Sequence, residues 1–409
     1  MKILIKNIKQ LVQVEHQPQL RLDGSAMKKL FCLDNAWLAI EDDIIVAFGS
    51  MTDWTGISDW SNLTIIDATD KIVFPSYCDS HTHLVYAGSR EGEFVDRING
   101  LTYEDIFARG GGILNSSRKL QDTSEEILLQ SALTRLDEIM SQGTGAVEIK
   151  SGYGLSTDSE LKMLRVIKKL KSISPLTIKS TFLGAHALPA IYKNNKRDYI
   201  DLLINEMIPK IAEEQLADFC DVFCEQNYFT KAETIEILIA AQHYGMTPKV
   251  HAEQLSNFGG TLAGIEVGAI SVDHLEFVGD QEITALQNTK TMPTILPGAA
   301  FFLGLPHPPA RRMIDSGLGL AIASDFNPGS CPTGNMNLML SISCIQYKLT
   351  PEEAINAATI NSAYAMNLST THGSIAVGKK ANVFITKEIP SYSFIPYSFG
   401  SNLIETVII

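Results

Sequence analysis

The sequence predicts an α/β fold in which a (β/α)8 barrel carries a smaller β unit assembled from both ends of the chain. Three observations predict it. From Pro75 to residue 371, apolar strand-like runs alternate with amphipathic helical stretches, the rhythm of a parallel sheet. Before residue 75 and after residue 371 the patterning is strand-like. Five histidines of the middle part, His81, His83, His186, His251 and His274, fall at or just after the ends of strand-like runs.

The N-terminal runs are "KILIKNI", "AWLAIEDDIIVAFG" and "LTIIDATDKIVF", the last two rich in β-branched residues and broken by Gly and Asp. They predict a small antiparallel β unit over residues 1–74. The barrel is expected over residues 75–371. Its candidate strands are "FPSYCDSHTH", "TGAVEIKSGYG", "IKSTFLGAHALP", "FCDVFCEQ", "TPKVHAEQ", "AISVDHLEFV", "TMPTILPG" and "LGLAIASDFNPG". Eight such units imply closure, with active-site residues at the strand C-termini. Among the helices, "SEEILLQSALTRLDEIMSQG" places Ile127, Leu128, Ala132, Leu133, Leu136 and Ile139 at helical spacing. After the barrel, "PEEAINAATINSAYAMNL" reads as a helix, and "GSIAVGKKANVFIT" returns residues 372–409 to strand patterning beside the N-terminal strands.

Composition narrows the function. A chain of 409 residues exceeds a single core of ~250–300, which agrees with a large unit plus a small one. The hydrophobic fraction of 45% and charged fraction of 19% are those of a globular enzyme. A formal net charge of -13, with no dense cluster of Lys and Arg, argues against a nucleic-acid surface, so an anionic substrate requires a dedicated local cation. Cys32, Cys78, Cys220, Cys224, Cys331 and Cys344 lack the paired spacings of a zinc ribbon or a disulfide framework and read as reduced thiols. The opening "MKILIKNIKQLVQ" is interrupted by Lys6, Asn7 and Lys9, and the apolar stretch Thr294 to Pro306 is short of the ~20 residues of a membrane helix. A cytoplasmic protein without membrane contact is expected.

Residues i and i+2 of a strand point to the same side, so His81 and His83 in "DSHTH" can converge on one ion. An HxH alone is more often incidental. With His251 on the fifth strand, His274 on the sixth and Asp325 on the eighth, it forms a set of nitrogen and oxygen donors at one barrel mouth.

This set resembles the amidohydrolase superfamily, whose metal hydrolases share a distorted barrel and a flanking β-sandwich. The resemblance spans essentially the whole chain, including the "GSIAVGKKANVFI" tail. In order and separation, "HTHLVYAGSREGEF", "EIKSGYGLS", "LGAHALP", "HAEQLS", "VDHLE" and "SDFNPGSCPTGNM" are similar to the branch that opens 4-imidazolone-5-propanoate to N-formimidoyl-L-glutamate in histidine degradation. Binuclear members carry a bridging lysine at the end of strand four. Here that strand ends in Cys224 and Glu225, and Lys150 closes strand two instead. The resemblance therefore implies one divalent ion, zinc or iron, held by His81, His83, His251 and Asp325 with a position open for water, whose pKa such an ion lowers from ~16 towards ~7.

The same resemblance makes His274 and Asp325 the proton-transfer candidates; the alternative for His274 is to orient Asp325. Related deaminases place a glutamate shuttle three residues after the fifth-strand histidine. Here Gln254 occupies that position and is expected to contact substrate, while strand alternation turns Glu253 away, as a surface or supporting carboxylate. Arg90 is the choice for the propanoate, because a guanidinium grips a carboxylate bidentately. Tyr153 and His186 are implied as contacts to ring or carboxylate, and Asn327, Gly329 and Ser330 as the far wall. "ARGGGI", from Ala108 to Ile113, reads as a mobile glycine loop over the site or as a plain turn. His16, His243 and His372 lie outside the strand-end pattern and receive no role, and His307 only a loop position. A homodimer is implied by the resemblance alone. A deaminase of a heterocyclic base is the alternative, disfavoured by Gln254 and Arg90, and a non-catalytic barrel would have lost its ligands.

Overall fold

The computed structural model describes residues 2–56, 61–101, 105–106 and 109–409. The N-terminal strands are β1 (Lys2–Val12), β2 (Cys32–Glu41), β3 (Ile44–Ser50), β4 (Leu63–Asp67) and β5 (Lys71–Pro75). β1, β2 and β3 pair antiparallel. β1 also runs parallel to β4 through residues 2–6 and parallel to β5 at Gln10 and Leu11. The expected antiparallel unit is thus a mixed sheet, because β4 starts at the end where β1 starts and the connection after β3 must return across the sheet. A register shift between Ile5 and Ile8, with Asn7 at φ 54°, bends β1 so that one strand borders both partners.

The chain then enters eight parallel strands hydrogen-bonded in chain order: β6 (Tyr77–Thr82), β7 (Thr144–Lys150), β8 (Thr177–Ala185), β9 (Phe219–Cys224), β10 (Thr247–Ala252), β11 (Ser271–His274), β12 (Met292–Ile295) and β13 (Ala321–Ile322). Every residue of β6, β7 and β9 is buried, as helices cover the outer face and side chains fill the inside. Only two residues of β13 are regular, yet the barrel closes there. Asp325 N–H donates to His81 O at 3.0 Å, and His83 N–H donates to Phe326 O at 2.9 Å.

The helix Glu125–Ser141 shows how the sequence sets these elements. Ser124 caps it by accepting from the Ile127 N–H, and Glu125 and Glu126 complement the dipole of its first turn. Its buried stripe is Leu128, Ala132, Leu136 and Ile139. Ile127, assigned to that face by spacing, is 62% exposed, because it sits one position off the stripe at the capped turn. The helix expected after the barrel starts at Pro351 with a capping box from Thr350 and Glu353, and passes through a π turn at Ala357–Asn361. Asn361, at the end of that turn, accepts from Leu22 N–H at 2.8 Å and donates to Leu22 O and Leu320 O, tying the N-terminal connection to the barrel.

The last strands, β14 (Val383–Glu388) and β15 (Ile404–Ile408), extend the small sheet, with β14 antiparallel to both β5 and β15. The small sheet therefore takes strands from both ends of the chain. Phe384 stacks on Phe74 at 5.1 Å and meets Tyr77, the first residue of β6, so sheet and barrel share one apolar core. All six cysteines are free. Among the described residues no helix is long and apolar enough to cross a membrane.

His372 has a structural place here that its sequence position did not reveal. Its Nε2 lies 3.0 Å from Thr177 Oγ1, at the start of β8, and its Nδ1 lies 2.8 Å from Thr371 Oγ1. Burial, and secondarily Lys380 and Lys379, pull its pKa from 6.5 down to about 4. A base depressed on folding stabilises the native state above the unfolded pKa and loses that contribution as pH falls towards the folded one. At ~1.36 kcal/mol per pKa unit, about 3 kcal/mol of stability is expected to disappear between pH 6.5 and pH 4. Urea midpoints measured across that range should fall, and fall less in His372→Gln; equal slopes in the two proteins would contradict the assignment.

Candidate metal and substrate site

The C-terminal ends of the barrel strands converge on four histidines and one aspartate. His81 is the fifth residue of β6 and His83 follows the strand, while His251 lies in β10 and His274 ends β11. Asp325 comes three residues after β13, and the two closing backbone hydrogen bonds stitch it between His81 and His83. Its Oδ1 is 3.7 Å from His81 Nε2 and 3.5 Å from His83 Nε2. Donor atoms of His81, His83 and Asp325 lie within 4.8 Å of one another, as do those of His81, His251 and His274. His274 at φ 88° and Asp325 at φ 56° hold left-handed backbone, a strain of ~1–3 kcal/mol each that aims their side chains inward.

The donors fit a divalent ion on their own chemistry. Nε2 of His81 and Nε2 of His251 are buried without a hydrogen-bond partner, a costly state unless something binds them. Burial first, and then the neighbouring Lys150 or the other histidines, holds the His81 and His83 pKa values well below 6.5, in the neutral form that binds metal. Carboxylates stand behind both rings: His81 Nδ1 hydrogen-bonds Asp273 Oδ2 at 2.7 Å, while Asp221 accepts the His251 backbone N–H at 3.0 Å and sets its other oxygen 2.9 Å from Nδ1 at ion-pair distance, without hydrogen-bond geometry. Such outer partners fix tautomer and ring orientation in metal sites. Imidazole and carboxylate donors suit zinc and iron.

His274 differs from the other site histidines. Burial pulls its pKa down, but Glu276, Asp325 and Asp273 outweigh burial and leave it above 6.5. The Glu276 carboxylate, itself buried, lies 3.8 Å from its Nδ1. A ring with a raised pKa beside the donor cluster is placed to give and take a proton.

A cleft of about 680 Å³, counted out to its open mouth, lies over these donors. His83, His251, His274 and Asp325 line it together with Arg90, Tyr153, His186, Gln254, Asn327, Gly329 and Ser330, so the structure gathers the sequence candidates at one place. His81 sits behind them, fully buried. Arg90 is fixed from two sides. Its Nε donates to Glu93 Oε2 at 2.8 Å, and its guanidinium packs directly on Gly329, where an added Cβ would displace it. The other Glu93 oxygen accepts from Gly112 N–H and Asn115 Nδ2, which ties the glycine turn to the same carboxylate. Of the glycine stretch, Ala108 lies outside the described residues, while Gly110 and Gly112 take positive φ.

His186 Nδ1 is 3.0 Å from Gly152 O, which makes that nitrogen the donor and leaves Nε2 as an acceptor. Its ring stacks on His83 at 5.2 Å, and burial presses its pKa down to about 3. Asn327 and Ser330 line the cleft but spend their polar atoms locally. Asn327 Oδ1 accepts from the N–H groups of Gly329 and Ser330, and Ser330 Oγ donates to Asp325 Oδ2 at 2.9 Å, holding the aspartate's rotamer.

Glu253 is not a surface carboxylate. It is fully buried with φ 50°, accepts from the N–H groups of Gly259 and Thr261, and so satisfies the start of the helix Gly260–Glu266. Lys150, at the end of β7, points into the barrel and donates to Glu148 and Asp221. Sequence reasoning missed Glu93, Asp221, Asp273 and Glu276. The signal for Asp221 and Asp273 was present: one charge inside an otherwise buried strand, in "CDVF" and "VDH".

Comparison with known proteins agrees with this geometry. The amidohydrolase family profile matches residues 72–409. A protein named imidazolonepropionase from Christiangramia forsetii is 57% identical over 409 residues, covering 100% of this chain and 99% of its own. One of the same name from Clostridium tetani is 43% identical over 385 residues, covering 94% and 92%. Among solved structures, a triazine hydrolase variant superposes with TM-score 0.74 at 14% identity, covering 100% of this chain and 93% of its own. An adenosine deaminase from Xanthomonas campestris with bound zinc does so with TM-score 0.71 at 15% identity, covering 100% and 91%. At such identities the likeness speaks for the fold alone. The full-length matches to imidazolonepropionases and the family profile over the barrel and tail establish that the chain belongs to the amidohydrolase family, in its imidazolonepropionase branch.

Proposed function

We propose that this protein hydrolyses 4-imidazolone-5-propanoate to N-formimidoyl-L-glutamate, using one zinc or iron ion held by His81, His83, His251 and Asp325. The observation that carries the reading is one cleft with two poles: a neutral-histidine and carboxylate donor set at one, and an arginine locked by Glu93 and Gly329 at the other. An ion held there supplies positive charge that polarises a carbonyl and lowers the pKa of water.

The side chains then divide the work. Arg90 binds the propanoate and sets the distance to the ring. Tyr153 and His186 contact the ring, and Gln254, which has no ionisable proton, hydrogen-bonds a ring nitrogen or the carbonyl. Asp325 accepts a proton from the attacking water. His274 donates to the developing oxyanion and then protonates the leaving ring nitrogen as the C–N bond breaks, while the carbonyl carbon becomes the new carboxylate. Ser330 and Asn327 keep Asp325 aimed throughout.

A deaminase would use the same donors, but a neutral base offers the Arg90 guanidinium, whose Nε already pairs with Glu93, no second carboxylate to bind. Following loss of imidazolone absorbance, with an ammonia assay on a purine and a pyrimidine amine, separates the two. Arg90→Met should raise KM by about 10–100-fold, the loss of a charge-assisted bidentate contact of ~1.5–3 kcal/mol, with kcat little changed. A fall in kcat without a rise in KM would contradict its assignment. The proposal divides the chain into a barrel over residues 75–371 and a small unit over 1–74 and 372–409. From the family resemblance it includes a cytoplasmic homodimer.

A further inference from the structure

Inside the barrel, beneath the donor histidines, five charged side chains with no exposure form one ring: Glu148 and Lys150 from β7, Asp221 from β9, Lys249 from β10 and Asp273 from β11. Lys150 Nζ donates to Glu148 Oε1 at 2.5 Å and to Asp221 Oδ2 at 2.8 Å, and stands 4.0 Å from Asp273 Oδ2. Lys249 Nζ pairs with the other Glu148 oxygen, donates to Ser80 O at 3.0 Å and lies 3.8 Å from Asp273 Oδ2. Asp273 and Asp221 are the same two carboxylates that face Nδ1 of His81 and of His251.

Stability does not account for this ring, since well-packed apolar side chains in place of buried ion pairs are commonly neutral or stabilising. What the ring does that apolar packing cannot is fix two carboxylates from different strands at set positions. One lysine touches Asp221 directly and Asp273 at the edge of ion-pair range; Asp273 hydrogen-bonds the His81 ring at 2.7 Å, and Asp221 holds the His251 backbone N–H at 3.0 Å with its other oxygen 2.9 Å from Nδ1. We infer that Lys150 is a positioning residue for the metal site, acting through Asp221 and Asp273 to hold His251 and His81 at once in the Nδ1–H tautomer with Nε2 presented to the ion. Lys249, anchored on Ser80 O next to His81 in the chain, closes the ring from the other side. Strand four carries no lysine at its end; Lys150 and Lys249 lie instead beneath the donor histidines, where they contact the carboxylates behind them.

The inference rests on the metal assignment, and the test keeps the two apart. Zinc affinity is measured by chelator competition for wild type, Lys150→Met and Glu148→Gln/Lys150→Met. The double change removes one charge of each sign and guards against an unfolded single variant. The zinc Kd should rise about 10–100-fold in the variants, the scale on which outer partners tune metal sites. Nitrogen-15 spectra of the metal-free variants should show His81 and His251 losing the single Nδ1–H form. A double variant with a zinc Kd within twofold of wild type and intact Nδ1–H signals overturns the inference, because a purely structural ring would lower the unfolding midpoint and leave both readouts alone. A wild-type protein that binds no zinc at all overturns the metal assignment instead.

Discussion

Alanine at His251 should remove metal and activity together, the largest single effect expected of any substitution in this chain. The side chain offers a buried Nε2 with no partner of its own, and its Nδ1 is the neighbour of Asp221. Removing it takes one of four donors from the ion and leaves the Asp221 carboxylate a buried acceptor short of a partner, at ~1–3 kcal/mol. Without the ion, water at neutral pH faces its unassisted pKa of ~16 rather than ~7, and Asp325 alone cannot make up that difference. Metal analysis should drop from one equivalent per chain to near zero, and ring opening should fall by at least ~10⁴-fold, while circular dichroism remains that of a folded barrel. A variant that keeps a full equivalent of metal would show that His251 is not a ligand.

His274→Gln should separate chemistry from binding. Glutamine keeps polar volume and a donor but carries no titrating proton, so loss of general acid–base transfer should lower kcat by ~10²–10⁴. KM and metal content should stay close to wild type, since Arg90 grips the other end of the substrate and four ligands remain. The geometry makes this a sharp test, because His274 lies with His81 and His251 inside 4.8 Å. If the variant loses its metal as well, His274 is a ligand and the proton must travel by another group. Its left-handed backbone and its elevated pKa, with Glu276 behind it, favour the proton-carrying role.

How much of this was legible in the residues depends on how far each effect reaches along the chain. The barrel strands could be read because parallel strands covered on both faces must be apolar; each run contains its strand to within one residue, but the runs overshoot the C-terminal ends, by one residue in the first and by seven in the eighth. The donors could be read because i and i+2 spacing and strand-end position are local properties. Arg90 was reached by chemistry, since an anionic substrate on a chain of net charge -13 demands a cation. The mixed pairing of β1 was not legible, because nothing in "KILIKNI" records which later strand lies beside it. Glu253 was misplaced because strand alternation was extended one residue past the end of β10, where the backbone turns to φ 50° and the side chain caps a helix. The ring beneath the site was visible only as an anomaly. "VEIK", "CDVF", "PKVH" and "VDH" each carry charge inside a buried strand, and only the closed barrel brings the four segments together.

The central claim is that one ion at His81, His83, His251 and Asp325 serves the opening of a cyclic amide. The most direct measurement determines metal per chain and, on the same preparation, the loss of ultraviolet absorbance of freshly generated 4-imidazolone-5-propanoate before and after chelation. The account predicts about one zinc or iron per chain, ring opening without release of ammonia, and loss of activity on chelation that returns with the metal. Undiminished ring opening in metal-free protein, or ammonia released from an aminated heterocycle with the imidazolone untouched, would contradict it.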